Sequence, residues 1–236
     1  VKKCNFTALI IICAILLSFT FEGCGGGGGG GGGGDAPAQT VETFHLQDDG
    51  EYVPGYKISF TLSGTLRAAD NLKAFVILET KTLTTVDGQD CIPQELFLEM
   101  TETDTGITVS DIVTTYYDAV TYDPVKQIDH TTGDESVPIE INNLPDLAEI
   151  GDFGKLTSWK STDGSTTTGT WRLEGAGGGL ANLIGNFTST DSFGNIEYTG
   201  KETYTIDESG DRLKYKLEAF YFDTGVELNL SGNKNS

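Results

Sequence analysis

Histidine, arginine and cysteine are scarce in this chain, and each scarcity excludes something. Only His45 and His130 are available as imidazole bases, and neither falls in an alternating run that would hold it rigidly. No G-x-S-x-G elbow is present to support a serine nucleophile. Arginine occurs only as Arg67, Arg172 and Arg212, each isolated, and 15 basic residues stand against 35 acidic ones. Binding phosphates needs a basic stripe, so nucleic acid is excluded as a partner. The net charge of −20 also repels anionic lipid headgroups. Of the 4 cysteines, three lie in the first two dozen residues, which leaves Cys91 alone and rules out a disulfide staple for the rest. No histidine or basic residue flanks Cys91 to lower its pKa, so it reads as a buried, inert thiol.

What is present begins with an unusual N-terminus. Lys2 and Lys3 supply positive charge, residues 6–17 form an apolar stretch, and Gly23 precedes Cys24. An unbroken glycine run follows at residues 25–34. This arrangement resembles the precursors of bacterial lipoproteins, although the family's aliphatic and small residues before the Gly-Cys pair are replaced here by Phe21 and Glu22. The resemblance covers about two dozen residues. It implies a signal peptide over residues 1–23, a lipid on Cys24, and attachment to a membrane through that anchor. It also implies passage to the outer membrane where one exists, since Gly25 rather than Asp follows the cysteine. Two other readings remain open: a permanent transmembrane helix, for which the apolar stretch is short and broken by Thr7, Ser18 and Thr20, and ordinary cleavage at Ala36-Pro37-Ala38.

Residues 24–40 read as a tether. A glycine run has no conformational preference and behaves as a coil, placing the folded part about 20–25 Å from the lipid. A phosphate loop needs a strand before it and a helix after it, and here Asp35, Ala36 and Pro37 follow. The cluster Gly175, Gly177, Gly178 and Gly179 also fails the nucleotide-loop spacing and reads as a hairpin.

From residue 41 to 236 the pattern has a period of two. Ile58, Phe60 and Leu62 alternate with polar neighbours, as do Ile196, Tyr198, Tyr204 and Ile206, and Leu213, Tyr215, Leu217, Ala219 and Tyr221. Short turn signals at 163–164, 193–195, 209–211 and 224–225 argue for hairpins. The expected fold is all-β: an antiparallel meander of about ten strands, closed as an up-and-down barrel or folded as a two-sheet sandwich, with the hairpin run favouring the barrel. Residues 123–154 contain Pro124, Pro138 and Pro145 and read as a long connection with a short strand at 137–141 and a helical turn near 146–150.

Three groups of residues are candidates for chemistry. Turn chemistry on a solvated acidic surface is the leading account of the carboxylates; Asp129, Asp134 and Glu135 are the first choice for the alternative, a calcium-stabilised loop, although no D-x-[DN]-x-[DN]-G pattern is complete. Trp159, Trp171, Phe220 and Phe222 are the candidate ligand-binding aromatics, with burial between layers as the competing account. Cys24 is the lipidation site. Two functions fit: a non-catalytic binding or structural β-domain in the cell envelope, meeting an envelope protein or ligand, or a glycosidase-like hydrolase using paired carboxylates.

Overall fold

The computed structural model describes residues 42–48, 50–67 and 70–236. It is all-β, as the alternation predicts, and it closes as a barrel of twelve antiparallel strands. The chain first lays down β1 (Thr43–His45), then the wall strands β2 (Lys57–Leu66) and β3 (Asp70–Thr80). A short β4 (Thr84–Val86) turns through Asp87-Gly88, both with positive φ, into β5 (Gln89–Glu102). This is the conformation that suits Asp-Gly in a two-residue hairpin. The wall continues with β6 (Thr108–Asp118), β7 (Pro124–Asp129) and β8 (Glu135–Glu140); β9 (Leu147–Glu149) leaves it to pair with β1.

Six long strands complete the ring: β10 (Phe153–Ser161), β11 (Thr166–Gly175), β12 (Leu180–Thr190), β13 (Ile196–Asp207), β14 (Arg212–Tyr221) and β15 (Val226–Lys234). β15 pairs with β2 and β3 with β5, so no wall strand outside the short β4 is left unpaired on a side. Closure removes the free sheet edge that an open meander would present.

The short strand expected at 137–141 is present as β8. Other expectations change: the connection over residues 123–154 contains a further wall strand, β7, and the helical turn near 146–150 is instead strand β9. Pairing between β7 and β8 is confined to Gln127 with Ser136 and Ile128 with Glu135. His45 is also in a strand, as the last residue of β1.

Alternation decides what faces inward. On β13, Tyr198, Gly200, Glu202, Tyr204 and Ile206 are buried while Thr199, Lys201, Thr203 and Thr205 are half-exposed. Phe60, Trp171, Leu183, Tyr215, Leu217 and Leu230 join the same interior cluster. One end is closed by the lead-in and the β1–β9 pair, which insert Phe44, Leu46, Leu144 and Ala148 into that cluster. Outward rows of Thr, Lys and Glu suit water, whereas a membrane-spanning barrel carries an apolar outer band.

Candidate functional site

A line of inward-facing residues, three of them small, shapes the outer wall. Gly169 on β11, Phe187 on β12, Gly200 on β13, Ala219 on β14 and Leu228 on β15 are direct cross-strand partners. They point inward. Where Gly and Ala replace bulkier side chains, the wall is free to sit closer to the barrel axis; a Cβ added to Gly169 would lie 3.0 Å from Leu156 and 3.1 Å from the Phe187 ring.

Outward rows flank this line on both sides. One row is Thr168, Thr188, Thr199, Phe220 and Glu227; the other is Thr170, Asn186, Lys201, Glu218 and Asn229, each in direct register. Between them lies a hollow of about 600 Å³. A second hollow of about 330 Å³ shares Asn186 and Thr188 with it and extends the depression to Lys155 and Glu140. The two form one groove running across the strands.

The charges in the groove are mutually satisfied. Lys155 Nζ donates to Glu140 at 2.9 Å, Lys201 lies 3.6 Å from Glu218, and Lys216 reaches Glu218 at 2.9 Å. Partial burial works to raise the Glu218 carboxyl, but Lys216 and Lys201 outweigh it and hold the group below its ordinary value. Asn229 Nδ2 donates to Glu227 at 3.0 Å. By contrast, the side chains of Thr168, Thr170, Asn186, Thr188 and Thr199 have no hydrogen-bond partner among the described residues. The groove therefore offers a row of uncommitted donors and acceptors.

Phe220 lines one end of it, 39% exposed, with its ring edge-on to Phe222 at 5.0 Å. The other two candidate aromatics face inward. Trp159 and Trp171 are 8% and 6% exposed, and the Trp171 indole lies over Gly154, where a Cβ would fall 2.6 Å from its Nε1. The four aromatics thus divide into a surface pair and a core pair and do not form one face.

The acidic candidates serve the β7–β8 turn. Asp129 Oδ1 accepts from the backbone N–H groups of Thr131 and Thr132 at 2.8 and 2.9 Å, and Glu135 is paired with Lys126 at 2.6 Å. Among the described residues no three His, Cys, Asp or Glu side chains converge as metal ligands. His130 Nε2 meets Thr114 Oγ1 at 2.8 Å. Cys91 is buried, and burial followed by the nearby Asp118 charge pushes its thiol up, away from reactivity. Cys24 lies outside the described residues.

Comparison with protein-family models, with curated proteins and with solved structures finds no match to this chain. The barrel's own chemistry has to carry the functional reading.

One group of residues was missed by sequence reasoning. Inside the barrel, Arg212 bonds Glu51 and stands 4.9 Å from the centre of the Tyr204 ring, while Tyr215 donates its hydroxyl to Glu202 at 2.8 Å. Glu202 is fully buried, and burial, opposed by Tyr215 and Arg212, drives its carboxyl well above the ordinary range. The signal was in the parity: Glu202 shares the even positions of Tyr198, Tyr204 and Ile206. Sealed from solvent, this group holds the fold rather than meeting a ligand.

Proposed function

We propose that this protein is a lipid-anchored envelope protein whose barrel binds a partner through the groove on its outer wall, without transforming it. The observation that carries the reading is the division of labour in the wall: the interior is packed with aromatic and aliphatic side chains, and the uncommitted polar groups gather with an exposed aromatic in one groove. Such a convergence of concavity, hydrogen-bonding groups and a ring is the chemistry of a binding site.

Acid–base hydrolysis gains no comparable support. It requires one protonated and one ionised carboxyl flanking the bond, yet Glu218 in the groove is held ionised by lysines and the strongly raised Glu202 is sealed in the core. Anchoring at Cys24 rests on Lys2, Lys3, the apolar stretch and Gly23.

Two experiments test the reading. Growth of the native host with a fatty-acid analogue should label the wild-type chain and not Cys24→Ser; equal labelling overturns the anchor. Detergent-solubilised chain should sediment with detergent-washed native envelopes, and a triple variant, Asn186→Ala, Thr199→Ala, Phe220→Ala, should stay in the supernatant. Equal sedimentation overturns the groove.

A further inference from the structure

We infer that the ligand of this groove is an uncharged glycan chain. The inference rests on the groove being the binding site and adds the class of molecule that fits it.

The first reason is geometric. From β10 to β15 the two adjoining hollows follow the curve of the barrel over six neighbouring strands, about 4.8 Å apart, for about 24 Å of wall. A chain of linked rings that bends with the wall would meet successive strands in turn. A compact small molecule would leave most of the groove empty.

The second reason is the donor and acceptor set. Thr168, Thr170, Thr188 and Thr199 each offer a hydroxyl that both donates and accepts, and Asn186 offers an amide that does the same. Sugar hydroxyls have the same dual character, so the pairing works in either direction. Phe220 adds a flat apolar surface at one end, braced by Phe222, on which the C–H face of a ring would lie.

Charge and topology exclude the main competitors. The lysines facing the groove are paired to Glu140 and Glu218, so an anionic polymer would have to displace those carboxylates while approaching a protein of net charge −20. An extended peptide binds sheets chiefly by adding a strand to a free edge. Here the floor is strand interiors already paired on both sides, and the groove runs across them.

Titration calorimetry on the purified full chain would test this. The probes are neutral hexamers of β-1,4- and β-1,3-linked hexose and N-acetylhexosamine, a galacturonate hexamer, and an uncharged extended peptide. At least one neutral hexamer should bind saturably, its trimer more weakly, and Phe220→Ala should weaken the hexamer about tenfold. Phe153→Ala, which removes an exposed ring outside the groove, should bind as wild type. Absence of saturable binding by every neutral hexamer, tighter binding of the galacturonate or peptide, or an unaffected Phe220→Ala would each overturn the glycan assignment. If envelopes still sediment the chain in a groove-dependent way while no hexamer binds, the groove stands and the ligand class falls.

Discussion

Arg212 Nη2 donates to both carboxylate oxygens of Glu51, at 3.1 and 2.9 Å, across 161 positions of sequence, with both side chains 1% exposed. The pair ties the lead-in to β14. Around it, Gln94 Nε2 donates to the Glu51 carbonyl at 3.3 Å, and Tyr56 donates its hydroxyl to Asp48 at 2.7 Å. The segment that closes this end of the barrel is therefore held by polar contacts as well as by Phe44 and Leu46.

Breaking that pair from one side should be severe. Arg212→Met leaves the Glu51 carboxylate buried without its counter-charge, and we expect a loss of about 3–5 kcal/mol in denaturant unfolding. Removing both charges, in Glu51→Leu with Arg212→Met, should recover most of it. A double variant no better than the single one would show that the pair matters for more than mutual compensation.

Glu202 should make stability depend on pH in an unusual sense. Its carboxyl binds a proton more tightly in the folded chain than its ordinary value of 4.5, because burial outweighs the pull of Tyr215 and Arg212. The folded state therefore holds more protons than the unfolded one above that value, so this contribution to stability falls as pH rises through the window up to the folded pKa. In Glu202→Gln this part of the slope should vanish, leaving what Glu51, Asp111 and Glu197 contribute. Measured at pH 5 and pH 7, the variant should gain on the wild type at the higher pH; parallel losses would contradict a protonated core carboxyl.

The aromatic pairs should separate cleanly by stability. Trp171→Ala empties a core position and should cost about 3–5 kcal/mol. Phe222, 50% exposed, should change stability by no more than about 0.5 kcal/mol when replaced by alanine. Thermal unfolding of both variants checks this directly.

The seam between β2 and β15 allows no side chain at two places. A Cβ on Gly64 would fall 1.7 Å from the Asn229 carbonyl oxygen, and one on Gly232 would fall 2.0 Å from that of Thr61. Gly232→Ala should force the strands apart at a cost of about 1–3 kcal/mol. Hydrogen exchange should quicken at Leu62 and Asn233 before it does in β12.

Much of the wall was legible because one face is apolar and the other polar. Tyr215, Leu217, Ala219 and Tyr221 alternate without interruption, and β14 runs between the turn signals at 209–211 and 224–225 with all four buried. β7 was not legible: Pro124 opens it, only Gln127 and Ile128 pair onward, and its inward side chains Gln127 and Asp129 are polar. Leu213 fails to face inward because a register shift between Thr205 and Ile206 intervenes. The groove could not be read either. It depends on Gly169, Phe187, Gly200 and Ala219 falling in line across four strands, a coincidence of register that no single stretch of sequence contains.

The meeting of β15 with β2 places Lys234 opposite Phe60, and Asn235 donates to the Ser59 carbonyl at 2.8 Å. The ring thus waits for its last strand. Ordering across so long a span is slow, because the chain must surrender the freedom of the whole intervening loop before the contact forms. A chain that stops before β15 would leave β14 and β2 each with an unpaired edge.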